Sequence, residues 1–157
     1  RTVVVGVASL ILLVTAATGT PLWTVPEKGA EHAPLGEGTA TVTVSSAPET
    51  ATIDAGRQGG DVYYLRVPDT TVNVTALRGN PVLSYAIDID RLGHSRSSVP
   101  SLGSVGEGKA HVGIAADSFD GEELNRETYE GTLRLVLRGN GEETVIYSQP
   151  IRVEVSR

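Results

Sequence analysis

From Thr39 onward the sequence consists of short runs in which apolar and polar residues alternate, and this period of two is what most limits the fold. Successive side chains of a strand point to opposite faces, so each run offers one apolar face and one polar face. "TATVTVS" (Thr39 to Ser45) places Ala40, Val42 and Val44 together. "VYYLRV" (Val62 to Val67) does the same with Tyr63, Leu65 and Val67, and Pro68 ends it. "TVNVTAL" presents Val72, Val74 and Ala76; "VLSYAIDI" presents Leu83, Tyr85, Ile87 and Ile89. "AHVGIA" (Ala110 to Ala115) is short and reads as an edge strand. No window in this part of the chain has a convincing helical period.

The last part carries the clearest local signal. "TLRLVLRGNGEETVIYS" reads as two strands around Asn140-Gly141, the pair best suited to a type I′ turn. Folding it there sets Arg138 opposite Glu143, Val136 opposite Val145 and Leu135 opposite Ile146. Apolar then meets apolar and opposite charges meet each other. Pro150 is expected to interrupt pairing, after which "IRVEV" resumes with Ile151, Val153 and Val155 inward.

Seven or eight such strands over residues 38–157 predict an all-β domain, an antiparallel immunoglobulin-like sandwich. The expected core is Leu65, Val72, Val74, Leu83, Tyr85, Ile87, Leu133, Leu135, Leu137, Ile146 and Val153. The Ser- and Gly-rich stretch from Arg91 to Lys109 is expected to be a mobile loop. "TYEGTLRLVLRGNGEETVIYSQPIRVEV" resembles the closing strands of immunoglobulin-like modules in exported archaeal and bacterial proteins. There a Tyr-x-Gly-x-Leu stretch, here Tyr129, Gly131 and Leu133, opens a strand that pairs with the last one. The overall layout also resembles uncharacterised exported proteins of haloarchaea. The Cys and Trp hallmarks of true immunoglobulin domains are missing, so the resemblance implies architecture and no activity.

Ahead of this domain, Thr2 to Val25 contains no charged residue. As a helix, Thr2 to Trp23 would span about 33 Å, enough for a hydrocarbon core of about 30 Å. Arg1 before the run and Trp23 near its outer end predict a transmembrane anchor over 1–25 with the remainder outside. The alternative is a cleaved signal segment, for which Val14-Thr15-Ala16 and Ala17-Thr18-Gly19 supply small residues. Both readings export the rest. Residues 26–37, rich in Pro, Gly, Ala and Glu, read as a linker.

The net charge of −6, or −7 without Arg1, disfavours nucleic acid as a partner. There is no cysteine, which excludes thiolate metal sites and cysteine nucleophiles. Basic residues are 11 Arg against 2 Lys, a usage that with many acids resembles that of salt-loving archaea.

Candidate chemistry is sparse. Asp88 and Asp90 begin like a calcium loop with Gly93 at its sixth place, but Leu92 and Val99 stand where ligands are needed. Asp117, Asp120, Glu122 and Glu123 gather carboxylates in what reads as an acidic surface turn, with exposed calcium binding as the alternative. His32, His94 and His111 fall in a linker, a loop and a strand, none at a zinc-ligand spacing. Ser95, Ser97 and Ser98 lie beside His94 without an orienting acid in sequence. Asn73 heads the Asn-Val-Thr sequon and falls on the outer face of its strand. No catalytic, cofactor or metal residue is assigned.

The expected function is a non-enzymatic extracytoplasmic surface module, tethered to the membrane and acting by protein or envelope contacts. A filament or membrane-complex subunit held by the N-terminal helix is the alternative. A calcium- or glycan-binding module is the third.

Overall fold

The computed structural model describes residues 33–57 and 60–157, and they form an all-β unit. The apolar segment Thr2 to Val25 and His32 lie outside the described residues. Ten strands follow in order: β1 (Glu37–Ser46), β2 (Thr50–Ala55), β3 (Val62–Arg66), β4 (Thr70–Asn80), β5 (Val82–Ile89), β6 (His94–Ser98), β7 (Gly108–Val112), β8 (Asp117–Asp120), β9 (Thr128–Gly139) and β10 (Glu142–Ser156). One short helix, α1 (Leu102–Val105), lies between β6 and β7.

The strands divide into two sheets. The smaller has the order β1-β4-β7, and the larger has the order β6-β5-β9-β10-β2-β3-β8. All pairings are antiparallel except that of β10 with β2. The large sheet curls until its two edge strands meet through side chains: His94 of β6 lies against Phe119 of β8, ring centroids 4.5 Å apart.

The expected alternation builds the core between the sheets. Val42, Val72, Val74 and Val112 come from the small sheet; Ile53, Leu65, Leu83, Tyr85, Ile87, Leu133, Leu135, Ile151 and Val153 come from the large one. Each such aliphatic side chain contributes about 1.5–3 kcal/mol by leaving water. Leu137 and Ile146 pack against this cluster only partly buried. At its centre the Tyr85 hydroxyl accepts from Thr70 Oγ1 at 2.9 Å and donates to the Pro68 carbonyl at 3.1 Å. Buried polar groups are tolerated when paired in this way.

The β9–β10 hairpin turns at Asn140-Gly141, with φ of +53° and +78°, and Arg138 Nε lies 2.9 Å from Glu143 Oε1 as the sequence register required. Val136 faces Val145, but Leu135 then faces Tyr147 and not Ile146. The inward residues change phase between Ile146 and Ile151, and one extra residue must be absorbed somewhere between them. The chain absorbs it in a bulge at Ile146, four residues before Pro150, where the sequence predicts an interruption of pairing.

Pro150 leaves the ladder intact and faces Thr132. Arg152 N donates to the Glu49 carbonyl on the β2 side at 3.0 Å, so the nitrogen of Pro150, two residues earlier, faces that same side. The pairing with β2 begins only at Arg152, so no hydrogen bond is forfeited.

Ala76 also departs from expectation and is exposed. Between the pairs Thr39–Arg78 and Thr41–Thr75, Ala76 and Leu77 share the single opposing residue Ala40. Ala76 takes φ of +51°, which turns Leu77 inward in its place. The Leu77 N–H at this bulge donates to Glu107 Oε1 at 2.7 Å.

The stretch Arg91 to Lys109 is structured: it contains β6 and α1, and Leu102 is fully buried. The alternation of β6 is present in burial but invisible in hydropathy, because its half-buried positions are His94, Arg96 and Ser98.

Candidate functional site

Two features concentrate unsatisfied or charged groups on the surface: the outer edge of β1 and the line where β6 meets β8.

The β1 edge follows from composition. No charged residue occurs between Glu37 and Glu49, and β-branched Thr and Val fill most of Thr39 to Val44, which favours an extended strand. β1 has β4 on one side and no strand on the other among the described residues. At its start, Gly38 N–H donates outward to Asn140 Oδ1 at 2.8 Å, and Asn140 N–H donates to the Gly36 carbonyl at 3.0 Å. This ties the tip of the β9–β10 hairpin to β1. A Cβ at Gly139 would strike the Gly38 carbonyl oxygen, so the approach requires glycine.

Alternate residues of a strand direct their N–H and C=O groups to the same side. The outward bond of Gly38 therefore identifies Ala40, Val42 and Val44 as the residues whose backbone groups point away from β4. A groove of about 160 Å³ flanks the first part of this edge, lined among others by Gly38, Thr39, Ala40, Glu142 and Thr144.

The other edges differ. β7 is only five residues long and carries Lys109. β6 and β8 carry Arg96, Asp117 and Asp120 and face each other. Short or charged edges resist adding strands; β1 is long and carries no charge after Glu37, and its bulge lies near its end, at Ser45.

At the line between β6 and β8, His94 Nε2 lies 3.5 Å and Arg96 Nη1 lies 3.7 Å from Asp117 Oδ2. His94 Nε2 and Arg96 Nε are shielded from solvent without a hydrogen-bond partner among the described residues. The structure thus supplies His94 with a carboxylate that local spacing did not. These groups clasp two strands of one sheet.

The four carboxylates expected together are divided. Asp117 faces β6, while Asp120 and Glu123 form a capping box on the 3-10 turn Gly121–Glu123, with Asp120 N–H donating to Glu123 Oε2 at 3.2 Å. Glu122 lies in the first turn of the same element. Among the described residues no group of three or more His, Asp or Glu side chains is placed to hold a metal ion.

Asp88 accepts from Ser95 Oγ at 2.5 Å across the β5–β6 pair, and Asp90 starts the 3-10 turn Asp90–Leu92. Asp90 also lines a surface cleft of about 490 Å³ with Arg91, Arg126, Thr128, Tyr129 and Glu130. Ser97 and Ser98 pair with Ala86 and Tyr85 in the ladder. His111 lies on β7, its Nδ1 3.2 Å from Thr71 Oγ1. Asn73 stands mid-sheet on the half-buried outer side of β4, between Thr43 and Lys109.

The edge of β1 is the feature that sequence reading passed over. Its uncharged run was visible in sequence; its place at the end of a sheet was not.

No family model matches the chain, and neither a curated protein nor a solved structure matches it.

Proposed function

We propose that this chain is a non-enzymatic extracytoplasmic module, carried on a membrane by its apolar N-terminal segment, that works by protein contact through the open edge of β1. The observation that carries the reading is the edge itself: backbone donors and acceptors of Ala40, Val42 and Val44 lie unpaired by any strand among the described residues, on a ten-residue strand that carries no charge after its first residue, Glu37. Such an edge recognises another strand by main-chain hydrogen bonds. The uncharged run Thr2 to Val25 supports the membrane attachment, and the acid-rich, arginine-dominated composition supports a haloarchaeal envelope as its setting.

An immunoglobulin-like sandwich belongs to this proposal. In chain order, β1, β4 and β7 stand where the A, B and E strands of such a sandwich stand, and β5, β9 and β10 stand as C, F and G, with β6 beside C. The Tyr129 hydroxyl accepts from Asn125 N–H at 3.0 Å and Arg126 N–H at 3.2 Å just before β9, in the manner of the tyrosine corner of these folds. The strands β2, β3 and β8 extend the second sheet beyond that plan and curl it.

The test is accessibility combined with turnover. A tag after Arg157 on the full chain should be removed by protease added to intact cells, and the purified chain should leave glycan, ester and peptide substrates unchanged. A protected tag in cells that process a control surface protein, or turnover of any substrate, overturns the reading.

A further inference from the structure

We propose that the strand added to the β1 edge is β1 of a second copy of this chain, antiparallel to the first about a two-fold axis at Val42. This rests on the reading of β1 as the contact edge and names its partner.

The sequence of β1 complements itself in this arrangement. Ala40 faces Val44 of the other copy, Val42 faces Val42 and Thr41 faces Thr43; Ser45, which bulges in the pairing with β4, lies beyond this run. Residues directly opposite in an antiparallel pair share a face. The apolar row therefore continues the core side of both small sheets, and the hydroxyl row continues the outer side. Thr-Thr pairs are among those that stabilise such ladders. The residues with outward backbone groups, Ala40, Val42 and Val44, fall opposite one another, so each pair exchanges two N–H···O bonds.

Charge also permits the pairing. Like charges directly opposite disfavour a ladder, and here the acidic chain presents a run, Gly38 to Ser46, without charge. Glu37 falls opposite Ala47, beyond the end of the partner's strand. The register has a physical stop: Asn140 occupies the outward side at Gly38, so the added strand begins at Ala40. The product is one sheet in the order β7-β4-β1-β1-β4-β7.

The absence of cysteine makes the register directly testable. Thr41 and Thr43 lie at non-hydrogen-bonded positions of the new ladder, where opposed Cα atoms are about 4.5 Å apart, within disulfide range. Thr41→Cys and Thr43→Cys are each exposed and outside the core. Full-length chains bearing one or the other, solubilised in mild detergent and mixed, should form a disulfide-linked dimer under a mild oxidant. Each variant alone should give roughly tenfold less, because its own two thiols sit diagonally at about 7–8 Å.

A second pair of variants reads the energetics. Thr41→Lys/Thr43→Lys sets lysine against lysine and should sediment as monomer; Thr41→Glu/Thr43→Lys sets unlike charges opposite and should retain the dimer. Cross-linking no greater in the mixture than in the single variants overturns the proposal, as does a wild-type chain that sediments as monomer. Either failure leaves the tag-accessibility and turnover results standing, so pairing and membrane placement fail separately.

Discussion

The Tyr85 hydroxyl is held between Thr70 and Pro68 inside the core, and burial raises its pKa above the ordinary value of 10.0, with the Thr70 hydrogen bond opposing and Asp69 and Tyr147 adding to the rise. A raised folded pKa gives stability that is complete below the unfolded value and lost as pH climbs through the folded one. Wild type should therefore weaken above about pH 10. Tyr85→Phe leaves the Thr70 hydroxyl buried without its acceptor and should cost about 1–3 kcal/mol at neutral pH. That difference should shrink in alkali, where only the wild type has a phenol to ionise. Urea midpoints of both proteins at pH 7 and pH 11 measure it. Ala76 gives the opposite sign. Its φ of +51° costs an L-residue about 1–2 kcal/mol. Ala76→Gly removes that strain at the expense of unfolded-chain entropy of about 0.4–1 kcal/mol. The variant should gain up to about 1.5 kcal/mol, and a lower urea midpoint would show that Ala76 rests there without strain.

Among the elements, the β9–β10 hairpin was the most legible, because Asn140-Gly141 and the flanking pairs specify turn and register locally. Gly141→Val should destabilise the domain by about 1 kcal/mol or more, since φ of +78° resists a β-branched residue. An unchanged melting temperature would count against this turn. Legibility fails where partners lie outside the local pattern. The bulges at Ile146 and Ala76 each shift the phase by one residue, and nothing in either segment says which residue is left out of register. β6 escaped notice because its inward positions are His94, Arg96 and Ser98, which hydropathy reads as loop. β8 hid inside an acidic cluster for a related reason: only Phe119 is buried on a strand that otherwise holds Asp117, Ser118 and Asp120. The candidate edge was half legible. Its lack of charge is plain from Gly38 to Pro48, but edge position belongs to topology, which strand patterns do not encode.

For the whole molecule, charge is the quantity that local argument misses. The chain carries −6, and the acids of its β unit gather in Asp117 to Glu130 and Glu142-Glu143. The Debye length is about 30 Å at 0.01 M salt and about 3 Å at 1 M, so these groups repel across the domain only when salt is low. Stability should rise from 0.1 M to above 1 M KCl, followed by urea denaturation because urea adds no ions. A midpoint independent of salt would remove the halophilic interpretation and leave genome composition to explain arginine over lysine. The curled sheet has a mechanical consequence of its own. Ladders hold it all the way round except at one place, where His94, Arg96, Asp117 and Phe119 fasten β6 to β8. It is a split hoop with a clasp. The half-exposed Arg96–Asp117 ion pair holds by about 0–1 kcal/mol and the His94–Phe119 ring contact by about 0.5–1.5 kcal/mol. Releasing this clasp takes only side-chain rotation on β6 and β8 and leaves every rung of backbone hydrogen bonding in place.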